Sequence, residues 1–164
     1  MVYLYDTREH DGKNQHILDV WDKLGIEYKK KKLDYCDYSF LVPANPDLGI
    51  LRDLDFSHHV AVERKASLDE LAGNISKERD RIKKEFALAP KNKVLLIENA
   101  TYDDMLHGNY SSNYNNKSFW ATLHSFWHEY NVPFVFMPNP RNSAMFIRGY
   151  FQYWLRNYLK GQKE

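Results

Sequence analysis

The stretch His59-Val60-Ala61-Val62-Glu63-Arg64-Lys65-Ala66-Ser67-Leu68-Asp69 reads as a short apolar strand that ends in three charges and runs directly into a helix. Side chains alternate across a strand, so Glu63 and Lys65 share one face, roughly 6.5 Å apart by strand rise, while Arg64 points to the other. A carboxylate and an ammonium thereby occupy one small site. Three charges at the end of a buried strand lose hydration that only a partner or a metal ion replaces. The plainer alternative is a solvated strand end with a local ion pair. Ser67-Leu68-Asp69-Glu70 has the Ser-x-x-Glu form of a capping box and marks where the helix begins.

Downstream of that cap, Leu68, Leu71, Ala72, Ile75, Ile82, Phe86 and Ala89 recur at steps that predict one amphipathic helix over 68–89. Arg79 falls inside the apolar stripe, where it either snorkels or reaches the strand-end charges. Lys77, Arg81, Lys83 and Lys84 take the remaining surface. Upstream, Val2-Tyr3-Leu4-Tyr5 reads as a strand ending in Asp6-Thr7-Arg8-Glu9, and Ile17, Val20, Trp21 and Leu24 predict a helix over 13–24 closed by Gly25. The run Lys29, Lys30, Lys31, Lys32 is expected to be a solvated face rather than a nucleic-acid contact. Residues 33–42 form a strand pair or one bent strand. Asp34 and Asp37 lie within it although Asp disfavours strands.

Beyond residue 90, Lys93-Val94-Leu95-Leu96-Ile97-Glu98 has the apolar run of a strand buried on both faces. Residues 103–117, rich in Asn, Ser, Tyr and Gly, have the composition of a mobile loop. Ser118 is the expected N-cap of a helix carrying Phe119, Trp120, Leu123, Trp127 and Tyr130, followed by a strand at 133–136. The last helix, 142–160, is apolar nearly all round and must bury two sides, so a homodimer is expected. The order of elements defines an α/β three-layer sandwich over a mixed sheet. Sites in such sheets gather at strand ends, where Asp6, Asp37, Glu63 and Lys65 would lie.

At 164 residues the chain is expected to be one domain with room for a core, and its 43% hydrophobic, 15% aromatic and 27% charged residues exclude a disordered protein. No apolar run approaches the roughly 18 residues of a membrane span. The single cysteine, Cys36, cannot pair internally, which fits a reducing cytoplasm. The net charge of +1 neither demands nor excludes a polyanion, because clustering matters more than the sum.

Carboxylates from Asp6, Asp37 and Glu63 converging on one point repel unless a hard divalent cation lies between them, and oxygen ligands suit Mg2+ or Mn2+. Such a metal activates water and polarises a phosphoryl oxygen, while Lys65 orients that water or neutralises charge. The combination is a phosphodiester hydrolase, with Arg8, Arg64 and Arg79 available as phosphate contacts.

Glu63-Arg64-Lys65-Ala66-Ser67-Leu68-Asp69 resembles the Glu-Arg-Lys-x-x-x-Asp signature of the XPF-family nuclease domain, and Asp37-Tyr38 and Asp6-Thr7-Arg8-Glu9 precede it in that family's order. The resemblance implies a restriction-endonuclease-like fold and metal-dependent cutting of branched DNA: flaps, forks or Holliday-type junctions. It makes Asp37 and Glu63 metal ligands and Lys65 the catalytic lysine, with Asp6, Arg8, Glu9, Arg64 and Asp69 in support. Cys36 stands where the family usually has Gly. No tandem helix-hairpin-helix domain is recognised, so the chain looks like a compact stand-alone version of the kind phages carry, with roles in repair or recombination in a bacterial or phage-infected cell. Asp69, in a first helical turn, also has a purely structural explanation through the helix dipole.

Two rivals remain. A zinc hydrolase would use His124 and His128, four apart on a helix, but Ser125 replaces the Glu base and no third ligand follows. A non-catalytic module that binds branched DNA would use the lysine run, Lys77, Arg79, Arg81 and the tyrosine-bearing loop. Such a binder has no need of Glu63 and Lys65 beside Asp37.

Overall fold

The computed structural model describes residues 1–9 and 11–161. Among them, seven strands form one mixed sheet: β1 (Val2–Asp6), β2 (Tyr28–Lys31), β3 (Tyr38–Val42), β4 (Leu54–Asp55), β5 (Val60–Lys65), β6 (Asn92–Glu98) and β7 (Phe134–Met137). The order is β2-β1-β3-β5-β6-β7, with β4 paired to β3. The pairs β1–β2, β5–β6 and β6–β7 are parallel, whereas β3 is antiparallel to both β1 and β5. The carboxyl ends of β1, β5, β6 and β7 therefore lie along one side of the sheet, together with the beginning of β3. Six helices cover the faces: α1 (Gln15–Lys23), α2 (Leu68–Lys77), α3 (Arg79–Leu88), α4 (Tyr102–His107), α5 (Asn116–Tyr130) and α6 (Ser143–Gly161).

Strand alternation sorts the core into two halves. Val60, Val62, Val94 and Leu96 pack with Ile17 and Trp21 of α1 and with Ala144, Ile147 and Phe151 of α6. Leu95 and Ile97 pack on the other side with Leu71 and Ile75 of α2, Ile82 and Phe86 of α3, and Phe119 and Phe126 of α5. This is the expected three-layer α/β/α sandwich. It places Glu63 and Lys65 on the α2–α3 side and Arg64 on the α1–α6 side, because Glu63 is in register with Leu95 and Arg64 with Leu96.

Several local expectations change in the tertiary structure. The helix expected over 68–89 breaks at Glu78, whose backbone (φ −134°, ψ 33°) leaves the helical region. Between Ile75 and Ile82 no apolar residue occupies the intervening turn, so nothing buried holds a continuous helix there. The lysine run is solvated as expected, with Lys29, Lys30 and Lys32 exposed, and its first three residues belong to β2, the edge strand beside β1. Lys30 pairs with Asp11 and Lys31 with Asp55, and lysines on an edge discourage further strand pairing. Residues 103–117 are not one mobile loop: they contain α4, capped by Thr101, and a segment whose Tyr110 and Tyr114 pack edge-on to Phe119 at 5.5 and 5.4 Å. Asn115, not Ser118, caps α5.

The apolar girth of α6 is largely satisfied within the domain. Phe146, Tyr150, Trp154 and Leu155 pack against the core beside its buried residues, leaving Met145, Tyr153, Tyr158 and Leu159 outside. Trp21 Nε1 donates to the Ala144 carbonyl at 3.2 Å and ties α1 to α6. No helix among the described residues is long and apolar enough to cross a membrane. Phe151 is fully buried, 6.0 Å from the Tyr3 ring and 5.5 Å from Phe40. Phe151→Ala is expected to cost about 3–5 kcal/mol, measured as a lowered urea midpoint with an unchanged slope.

Candidate active site

Asp37 is carried to the central strand by a bend before β3. Its amide donates to the Val62 carbonyl at 3.0 Å, and its own carbonyl accepts from the Asp6 amide at 2.8 Å. The bend needs Cys36 in the left-handed region, φ 59°, a conformation costing a non-glycine residue about 1–2 kcal/mol. This is the physical reason glycine suits the position. The Asp37 side chain then turns to β5, where Oδ2 accepts the Arg64 main-chain N–H at 2.7 Å. Glu63 Oε1 and Lys65 Nζ are 2.8 Å apart. Asp37, Glu63 and Lys65 line a polar cavity of about 160 Å³ together with Cys36, Asp34 and Tyr35 from the bend, Arg8 from beyond β1, and Arg81 and Glu85 from α3. The break at Glu78 re-aims α3 so that Ile82 and Phe86 enter the core while Arg81 and Glu85 overhang this cavity.

Burial pushes the Asp37 carboxyl well above the usual carboxylate range, and the neighbouring Glu63 pushes it further against the pull of Lys65. Burial alone would lower the Lys65 ammonium, but Glu63 and Asp37 together outweigh it and hold the group above its ordinary value. Lys65 is therefore protonated at neutral pH. The Cys36 thiol is likewise pushed up, first by burial and then by Glu63.

On the opposite face Arg64 is 6% exposed. Its guanidinium reaches Glu98 at 2.8 Å, Glu9 at 3.3 Å and the Lys13 carbonyl at 3.0 Å. Glu98 also accepts from His16 Nε2 at 2.8 Å. Burial works against ionised Glu98, but its hydrogen bonds to His16 and Arg64 win and hold it down at about 2. Burial raises the Glu9 carboxyl, while Arg64 opposes the rise. Sequence reasoning passed over Glu98 and His16, although Glu98 carries the same mark as Glu63: an acidic residue at the end of an apolar strand.

The remaining expected site residues divide. Arg8 and Arg81 reach the cavity and also edge an adjoining cleft of about 380 Å³ with Lys13, Arg64, Lys65 and Asn74. Asp6, expected to be a third ligand, does not line the cavity. It is fully buried, accepts the Leu33 amide at 2.9 Å, and is paired with Arg8, so it anchors the bend rather than facing the site. The Arg64 side chain points away from Glu63 and Lys65, with Nη1 and Nη2 held in the ion-pair network and the buried Nε unpartnered, so it presents no donor fork to the cavity. Asp69 is exposed in the first turn of α2 and accepts the Ser112 amide at 2.6 Å, pinning the segment after α4. Arg79 lies outside any buried stripe and donates to Tyr114 Oη at 3.4 Å and Thr122 Oγ1 at 3.3 Å. Lys77 is exposed in the last turn of α2, away from the cavity. His58 is brought to the rim, 3.1 Å from Asp34 and edge-on to Tyr35. His124 Nε2 meets Tyr102 Oη at 3.0 Å.

The donor set fits a hard divalent cation. Two carboxylates crowded into a desolvated pocket, one with a strongly raised proton affinity, mark a negative potential that a cation would relieve. Among the described residues no three His, Cys, Asp or Glu side chains are grouped closely enough to hold a metal ion together, and of the expected trio only Asp37 and Glu63 line the cavity. Mg2+ commonly binds through one or two carboxylates, with waters and substrate phosphate completing its shell.

A mixed sheet flanked by helices on both faces, with a charged constellation at the ends of its central strands, is an α/β/α sandwich with its site at the strand ends. The match of residues 5–150 to the ERCC4 domain model places the chain in that family, to which it belongs. Its fold is similar to that of XPF from Aeropyrum pernix, with a TM-score of 0.64 and 16% identity over 93% of this chain and 61% of that one. It is also similar to XPF from Aeropyrum pernix in complex with DNA, with a TM-score of 0.66 and 17% identity over 95% of this chain and 66% of that one. The chain thus spans less than two thirds of those proteins. No curated protein matches the sequence significantly.

Because the folded Asp37 carboxyl binds its proton more tightly than the unfolded one, its contribution to stability is complete below the unfolded value of 3.8 and declines as pH rises from there toward the folded value. At pH 7 the Asp37 carboxyl therefore destabilises the fold relative to a group that stays neutral in that place. Asp37→Asn, which keeps an acceptor for Arg64 N–H, is expected to raise the Tm at pH 7 in metal-free buffer, with the gain shrinking below pH 4. Thermal melts across that range check it.

Proposed function

We propose that the chain is a divalent-metal-dependent endodeoxyribonuclease that hydrolyses phosphodiester bonds in branched DNA, such as flaps, forks or Holliday-type junctions, with Mg2+ or Mn2+ as its cofactor. The observation that carries the proposal is the meeting of Asp37 with Glu63 and Lys65, from separate segments, in one polar cavity edged by Arg8 and Arg81. Asp37 and Glu63 would hold the cation. When bound, the metal acidifies a coordinated water and polarises a phosphoryl oxygen.

The chain's own groups supply the rest. Lys65 stays protonated, so it acts as a charge and a hydrogen-bond donor toward the attacked phosphate or the attacking water, not as a general base. The Arg8 and Arg81 guanidiniums, both mostly exposed at the cavity mouth, match phosphate oxygens and would draw the backbone in. The family and the DNA-bound XPF structure support DNA as the substrate. A cytoplasmic setting fits the single, buried, free thiol of Cys36.

Glu63→Gln and Lys65→Ala are each expected to leave the melting curve cooperative and to abolish nicking of labelled flap, fork and four-way DNA, as is EDTA. Linear duplex should be cut more slowly than branched substrates in either metal. Retained cleavage in both variants would remove the proposal, and binding of branches without cutting would favour the non-catalytic module.

A homodimer is part of the same proposal. It is supported by a half-exposed face beside the edge strand β7, where Tyr102, Leu106, Trp120 and Trp127 are each about 40% exposed. Sedimentation is expected to give a dimer at micromolar concentration and a monomer for the double variant Trp120→Glu, Trp127→Glu.

A further inference from the structure

Arg64 is held at both its main chain and its side chain, and the two holds serve different faces of the sheet. Its main-chain N–H fixes Asp37 Oδ2 at 2.7 Å on the cavity side. Its guanidinium is clamped on the other side, and the shortest contact of that clamp is Glu98 at 2.8 Å. Glu98 is 1% exposed at the end of β6 and takes His16 Nε2 at 2.8 Å. A carboxylate so buried stays ionised only with its donors in place, and an ionised Glu98 requires that His16 Nε2 carry the hydrogen. The pair therefore locks from both directions: β6 supplies the carboxylate, while α1 supplies the imidazole behind it.

Arg64 is next to last in β5: it is still in register with Leu96 on the β6 side, but on the β3 side the pairing stops at Val62, which leaves that edge of the strand end freer to twist. Twisting at Arg64 would swing its N–H away from Asp37 and change the spacing between Asp37 and Glu63, but it would also pull the guanidinium off Glu98. We infer that Glu98, backed by His16, is a positioning residue of the candidate nuclease site: through Arg64 it aims the N–H that holds the Asp37 carboxylate, without itself touching substrate. The catalytic half of this inference rests on the nuclease proposal. The structural half does not.

The test compares the full chain with Glu98→Ala and Glu98→Gln, the second keeping the size and one acceptor in case the first fails to fold. Residue-resolved amide hydrogen exchange is followed with steady-state cleavage of branched DNA in Mg2+. The Arg64 amide in Glu98→Ala should exchange at least about tenfold faster while Ala61 and Val62 on the same strand keep their protection, with Glu98→Gln between. The kcat should fall about 10–100-fold with KM little changed, and Glu98→Gln should recover part of it. Unchanged protection at Arg64 overturns the inference, as does loss of protection at Arg64, Ala61 and Val62 together, which would make Glu98 a general stabiliser. If the wild-type chain cuts no DNA, the nuclease proposal and the catalytic half fall, while the exchange result still decides whether Glu98 positions Arg64.

Discussion

The hydrogen bond from the Arg64 main chain to the Asp37 carboxylate is the constraint on which the site depends. It joins a bend before β3 to the end of β5, two segments that share only one paired position, Tyr38 with Val62, in the sheet. Without it the bend would have no reason to present its carboxylate to Glu63, since the two acids repel. The ammonium of Lys65 opposes that repulsion more strongly than the hydrogen bond does, but only the hydrogen bond fixes the direction of the carboxylate. The two together leave the carboxyl well above its ordinary range, and a bound cation would relieve it further.

This arrangement puts several unfavourable features in one place. Cys36 is forced into a left-handed backbone, Asp37 is desolvated beside another acid, and Lys65 is mostly buried between them. Each is tolerable because the scaffold around it is over-determined. Both faces of β5 and β6 are packed by aliphatic and aromatic side chains, and the buried ion-pair network of Arg64, Glu98, Glu9 and His16 stiffens the strand end from behind. Strain concentrated at a site and offset by the surrounding core is the expected condition of a preorganised pocket.

The break between α2 and α3 connects fold to site. A continuous helix would carry Arg81 and Glu85 along the axis of α2, whereas the turn at Glu78 directs them over the cavity. The same turn leaves Arg79 to tie α3 to Tyr114 and Thr122. Asp69 pins the neighbouring segment through Ser112, so the second acid of the Glu-Arg-Lys-x-x-x-Asp signature shapes the surroundings of the cavity rather than its interior.

Much of this was legible in the sequence, because it follows from local periodicity. Alternation along residues 60–65 put Glu63 and Lys65 on one face and Arg64 on the other, the unbroken apolar run of β6 announced a strand buried on both sides, and the Ser67 cap marked the start of α2. Those properties depend on neighbours within a few residues, so the sequence by itself determined them. Which acids face the cavity did not follow. Asp6 and Asp37 look equivalent as carboxylates near strand ends, and only the pairing of β1 with β3 and of β3 with β5 turns one toward the Leu33 amide and the other toward Arg64. The edge position of the lysine run, the pairing of Glu98 with Arg64 and the break at Glu78 were likewise decided by the tertiary structure. They depend on register and burial between segments far apart in the chain, and no local pattern encodes those.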